Sequence, residues 1–257
     1  MERITPLLSG RSLNDSVLHQ TPFEKSLRRR LLKVGSVLEL IEKENEYTPA
    51  SALSSPGELR RLIDTYEELD SELARVITQY IDVSLVRKRL FKGEEMSIKH
   101  VAFVIKATAA KGRLVKDGYS KEVKEIYAAI SVQNPLAPPF DLARPHFEKD
   151  LDTFNLSYQV LLDNFKLLAA RVVASGELAA ISPYSVETLH ALVAQAENLT
   201  REIAVIIQKI FVVYEERLLV FEQIKESCHA ICKRSRFVLG SHHAVYKELI
   251  ALKHAIM

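Results

Sequence analysis

Glycine and proline are scarce in this 257-residue chain, eight and nine respectively, and they stand where helix ends are expected rather than scattered through strand-like runs. That placement points to helices. Cysteine is rarer still: Cys228 and Cys232 are the only two, one helical turn apart and with no secretory leader ahead of them. They read as free thiols of a reducing, cytoplasmic setting. Charge of one sign is also missing. Lys and Arg number 35 against 33 Asp and Glu, and a formal charge of +2 gives no broad attraction to phosphate backbones or anionic membranes. The opening Met1-Glu2-Arg3-Ile4-Thr5-Pro6 lacks an apolar signal region, and the most hydrophobic stretch, Ile203 to Tyr214, is interrupted by Gln208 and Lys209. Neither a signal peptide nor a membrane span is predicted. No Walker loop, Rossmann glycine fingerprint, Gly-x-Ser-x-Gly elbow or His-Glu-x-x-His motif occurs, so most soluble enzyme classes lose their usual signature.

What is present is the composition of a folded globular protein, 47% apolar and 26% charged. Thr21-Pro22-Phe23-Glu24 reads as an N-cap, a first-turn proline and a capping-box glutamate. Phe23, Leu27, Val34, Leu38 and Ile41 follow at helical spacing, predicting a helix over roughly 22–45. Ser55-Pro56-Gly57-Glu58 opens a second helix over 56–92 through Leu59, Leu62, Tyr66, Leu69, Leu73, Val76, Tyr80, Val83 and Leu90. Lys92-Gly93 ends it. Ile98, Val101, Ile105 and Val115 carry a third helix to Gly118, and a short fourth covers about 120–132. Pro135, Pro138, Pro139 and Pro145 exclude a helix over 133–145 and mark a linker.

Beyond it, Phe147, Leu151, Phe154, Tyr158, Leu161, Phe165, Leu168 and Val172 form a stripe ending at Gly176. Ser182-Pro183 then opens a pattern through Val186, Leu189, Val193, Ile203, Ile207, Ile210, Val213, Ile224 and Ile231 to Gly240, with no internal Gly or Pro. A last helix fills 242–256. The halves align at an offset of 127, pairing Leu27 with Phe154, Leu31 with Tyr158, Leu38 with Phe165 and Ser55-Pro56 with Ser182-Pro183. Later the offset is 123, pairing Arg113-Leu114-Val115 with Arg236-Phe237-Val238. The four-residue difference falls near Gly93, about one turn, so the helix broken there in the first half is expected to run on in the second. The predicted fold is all-α: two similar up-down helical bundle repeats with long amphipathic helices. Its parts are an N-terminal segment 1–20, repeat 1 over 21–132, the linker 133–145 and repeat 2 over 146–257.

Lys111-Gly112-Arg113-Leu114-Val115-Lys116-Asp117-Gly118-Tyr119-Ser120, leading into Glu125-Ile126-Tyr127, together with Met1-Glu2-Arg3-Ile4, resembles an uncharacterised family of duplicated all-helical proteins of Bacteroidetes. The likeness spans about half the chain and departs from the family pattern around 46–60. It implies a bacterial, duplicated helical fold and carries no activity, cofactor or site residue.

The sharpest chemical candidate is Glu226-Ser227-Cys228-His229 with Cys232, His242 and His243 nearby. Glu226 and His229 have the spacing that bundle di-metal sites use, but those sites need a second Glu-x-x-His, and this is the only one here. Cys228 and Cys232 share a helix face, yet structural zinc normally takes short knuckle spacings. The blander reading makes the cysteines small core hydrophobes and lets His242-His243 cap the last helix. No catalytic residue, cofactor or metal is therefore assigned. Lys25, Arg28-Arg29-Arg30 and Lys33, and Arg87-Lys88-Arg89 with Lys92, are the densest basic clusters, but three consecutive residues spread around a helix and read as solvated faces. Phe154, Tyr158 and Phe165 are either plain core or the lining of a ligand cavity. Tyr47-Thr48-Pro49-Ala50-Ser51 and the proline linker are the candidates for a mobile, partner-facing surface.

The functional expectation is a non-enzymatic scaffold or interaction protein with a protein partner or a second copy of itself. The alternatives are a metal-binding or enzymatic bundle using Glu226, Cys228, His229 and Cys232, and a nucleic-acid or membrane-surface binder using the basic helices. The stripe from Val186 to Val238 would be roughly 80 Å long. It must be covered by the rest of the chain or by a partner.

Overall fold

The computed structural model describes residues 21–110, 119–132, 135–138, 140–175 and 185–257. Among them are seven α-helices: α1 Pro22–Glu42, α2 Pro56–Lys92, α3 Ile98–Ala110, α4 Tyr119–Val132, α5 Phe147–Ser175, α6 Val186–Leu239 and α7 Ala244–Ile256. The protein is all-helical over these residues apart from turns and a short 3-10 turn at Ala52–Ser54. No helix among them is long and apolar enough to cross a membrane. The N-terminal segment, Val115, the stops expected at Gly118 and Gly176 and the start expected at Ser182-Pro183 lie outside the described residues.

Most helix ends obey their local signals. Thr21 Oγ1 accepts a hydrogen bond from the Glu24 N–H at 3.2 Å, and Pro22 fills the first helical position. Helix α1 stops at Glu42, three residues before the expected end. After Lys92 the Gly93 N–H bonds to the Arg89 carbonyl at 2.7 Å, and a Cβ on Gly93 would sit 2.6 Å from that oxygen, so only glycine fits. Ser97 then caps α3, accepting from the His100 N–H at 3.2 Å and donating to the Gly93 carbonyl at 2.6 Å. Where the first half breaks, α6 runs on for 54 residues and stops at Gly240, whose φ of 85° suits a residue without Cβ. The described part of the proline-rich segment is non-helical, as its prolines dictate.

The helices pack into two compact units, one from residues 21–77 and 209–257, the other from 78–208. Each draws on both sequence halves. In the first unit α1 packs on α7, and in the second α4 packs on α5. The first core joins Leu27, Val34, Leu38 and Ile41 of α1 to Leu59 and Tyr66 of α2, Phe221, Ile224 and Ile231 of α6, and Leu249 and Ile256 of α7. The second joins Phe91, Ile98, Ile105, Val123 and Ile130 to Tyr158, Leu161, Phe165 and Val172 of α5 and Leu189 and Leu192 of α6. The described part of the 133–145 segment falls inside this second unit, where Leu142 is buried and Phe140 packs between Tyr80 and Phe147.

The chain itself covers the α6 stripe. Leu189, Ile203, Ile207, Ile210, Val213, Ile224 and Ile231 are all buried, and Val186, Val193 and Val238 are half-buried. Phe23 departs from its expected inward position: it is 41% exposed, and its neighbour Glu24 is buried instead.

Two substitutions test this packing. Ile207→Asp places an unpaired carboxylate where the side chain is 4% exposed and should lower unfolding free energy by several kcal/mol, measured by urea titration. Gly93→Ala should cost about 1–3 kcal/mol through the forced Cβ–carbonyl contact; an unchanged urea midpoint would mean that the turn relaxes freely.

Candidate functional site

The four residues proposed for metal chemistry part company on α6. Cys228 and Cys232 point into the first unit's core, while Glu226 and His229 are exposed. A two-residue step turns about 200° around a helix, so Glu226 and Cys228 cannot share a ligand. Among the described residues no group of three or more His, Cys, Asp or Glu side chains is placed to hold a metal ion. Burial, and then the neighbouring Cys232, push the Cys228 thiol up to about 12. Burial pushes Cys232 to about 11, and its Sγ donates to the Leu249 carbonyl at 3.6 Å. Both thiols are core groups of the first unit. His243 occupies the N-cap position of α7, as expected, without a side-chain capping bond, and His242 is exposed.

The basic clusters also divide. Lys25, Arg29 and Lys33 are exposed and Arg28 and Arg30 half-buried, a solvated face as expected. Arg87 is the correction: Lys88 and Arg89 are exposed, but Arg87 is 1% exposed. Its guanidinium carbon lies 4.0 Å from the Tyr158 ring centroid and 5.5 Å from that of Phe154. Among the described residues none of its three side-chain nitrogens has a hydrogen-bond partner. Burial lowers its pKa, countered by Tyr158 and Tyr80. The aromatic trio is thus core that also serves a buried charge. Phe165 and Tyr158 are buried, Phe154 is half-buried, and the latter two present their rings to the Arg87 cation.

The first unit holds a second buried arginine. Arg217 is fully buried, and its Nη2 and Nη1 donate to Glu24 Oε1 and Asp70 Oδ1, each at 2.5 Å. Tyr66 and Tyr214 flank it, with ring centroids 5.8 and 5.5 Å from the guanidinium carbon. Glu24 therefore leaves the capping-box role expected of it and serves as Arg217's counter-ion. Sequence reasoning missed this group, although a signal existed. Arg217 stands three residues after Tyr214 and four before Phe221, in register with the apolar stripe, and Arg87 stands four before Phe91.

The segment 47–51, expected to be mobile and partner-facing, is pinned with the following turn to its own unit. Tyr47 donates to the Ser54 carbonyl at 2.6 Å, Ser227 to the Leu53 carbonyl at 2.9 Å, and Arg234 Nε to the Thr48 carbonyl at 2.7 Å. Burial raises the Tyr47 hydroxyl to about 12, opposed by its bond to Ser54.

The two arginines should respond oppositely to substitution. Arg217→Met leaves Glu24 buried without its counter-ion and should cost about 3–5 kcal/mol. Arg87→Met removes an unpaired buried charge at similar volume and should be neutral or stabilising by about 1 kcal/mol after loss of the ring contact. Calorimetric Tm values of both variants decide it; a loss of several kcal/mol in Arg87→Met would refute the contrast. Alkaline pH gives another check. Cys228, Cys232 and Tyr47 keep their protons in the fold at pH values where the unfolded chain releases them. Stability should be intact below about pH 8.5 and fall steadily from there toward pH 12.

No family model, no curated protein and no solved structure matches the chain.

Proposed function

We propose that the protein is a non-enzymatic, cytoplasmic interaction protein, built on a duplicated helical unit, that associates with a second copy of itself through α5. The observation that carries this reading is a row on the outer face of that helix. Leu156, Val160 and Leu167 are 62%, 37% and 50% exposed at spacings of four and seven residues. The opposite face of α5 buries Leu151, Tyr158, Leu161, Phe165 and Leu168, so the helix is apolar on both sides. A helix with two apolar stripes has one to give to a neighbour. A second copy offers the same row, and a two-fold axis across α5 pairs each row with itself.

Duplication is supported by the reciprocal pairing of first and last helices, α1 with α7 and α4 with α5. The interaction reading is supported by the fate of the chemical candidates, since the cysteines are core residues and Glu226 and His229 stand apart from them.

Light scattering across a concentration series should give a mass that rises toward twice the monomer value. Leu156→Lys combined with Leu167→Lys should hold the chain monomeric without lowering its Tm, both positions being exposed. A wild-type chain that stays monomeric into the millimolar range would exclude the α5 dimer.

A further inference from the structure

We infer that the first unit carries a ligand site of its own, a groove between the 50–54 turn and the last turns of α6, which takes a small phosphate-bearing molecule with a flat ring. The groove has a volume of about 680 Å³ and is lined by Ala50, Ser51 and Ser54 on one wall and by Ala230, Lys233, Arg234, Arg236 and Phe237 on the other. Pockets of about 300–1,000 Å³ suit small molecules. Ala230, Lys233, Arg234 and Phe237, at steps of three, one and three residues, lie within about 100° of arc on the helix, so one stripe of α6 faces the turn.

Three features define the occupant. The lining holds three cations and no acidic residue. Arg234 is committed to the loop, donating from Nε to the Thr48 carbonyl and from Nη2 to Thr48 Oγ1 at 3.3 Å. Lys233 and Arg236 are exposed and make no ion pair or hydrogen bond within the described residues. Two exposed cations three residues apart match a phosphate, which accepts several charge-assisted bonds at once. Finally, Phe237 is 82% exposed, an unusual state for so large a ring, and the Arg234 guanidinium stands 5.3 Å from its centroid. An open ring beside a cation is a stacking platform for a planar, electron-rich group.

The opposite wall is held in place before any ligand arrives. Ser54 is 3% exposed; its hydroxyl accepts from the Ala50 and Ser51 N–H groups at 3.0 and 3.1 Å and donates to the Ser51 carbonyl. Together with the Tyr47, Ser227 and Arg234 bonds this fixes a short loop that composition alone would leave loose, and a rigid wall lowers the entropy lost on binding. A long nucleic acid is a poorer fit, because the chain's +2 charge supplies no basic track beyond the groove.

Calorimetric titration of the intact protein with AMP, phenyl phosphate and inorganic phosphate separates the elements of the site. AMP and phenyl phosphate should each bind about tenfold or more tightly than inorganic phosphate, and a preference between them identifies the ring as a nucleobase or a simple aryl group. Phe237→Ala should erase the advantage over inorganic phosphate. Lys233→Ala with Arg236→Ala, both at exposed positions, should weaken all three by about tenfold or more with unchanged circular dichroism. Absence of AMP and phenyl phosphate binding at millimolar concentration would overturn the assignment, as would binding that the double variant leaves intact. Binding of an acidic peptide but of none of the three phosphates would overturn it in favour of a protein partner.

Discussion

The apolar face of α6 is the constraint from which the rest of the structure follows. A helix of 54 residues without an internal Gly or Pro has no place to fold back, so its stripe must be buried where it lies. The other helices meet that demand in two places. Leu189, Leu192 and Ala196 enter the second unit's core, and Phe221, Ile224, Cys228 and Ile231 enter the first's. Each buried aliphatic or aromatic side chain contributes about 1.5–3 kcal/mol relative to exposure, so α6 supplies a large share of the driving force in both units.

The polar groups buried beside these stripes are treated in two different ways. Arg217 is matched by Glu24 and Asp70 and framed by two tyrosines, which ties α1, α2 and α6 of the first unit through one guanidinium. Such a group adds little net stability over an apolar replacement of all its members, but it penalises any packing that separates them. Among the described residues Arg87 of the second unit meets ring faces and no hydrogen-bond partner. The quadrupoles of Tyr158 and Phe154 replace part of the lost hydration, and the arrangement is tolerated rather than strongly favourable.

Order in the 47–54 loop has the same origin as order in the cores. Tyr47 and Ser54 are buried, and Ser227 and Arg234 of α6 bind the loop's carbonyls, so backbone groups that water would otherwise satisfy are held by side chains. Arg234 does both: it holds the loop and stands in the groove's cationic wall beside Lys233 and Arg236. On either side of it, Ser227 supports the loop and Lys233 faces the groove.

The sequence by itself determined the all-α class, most of the helix ends and the buried stripes, because these depend on local geometry. Capping oxygens, fixed proline φ angles and 3.6-residue periodicity act within one or two turns, and Thr21, Gly93, Gly240 and Ile207 behave as that chemistry requires. It did not reveal which helices would meet, nor where charges in register with a stripe would find partners. Glu24 is 193 positions from Arg217, and Asp70 is 147. Likewise Arg234 lies 186 positions from the Thr48 carbonyl that it holds. Only the tertiary structure decided these pairings, since a buried charge or an open carbonyl takes whatever partner packing brings within hydrogen-bond reach, and nothing in its local spacing encodes that partner.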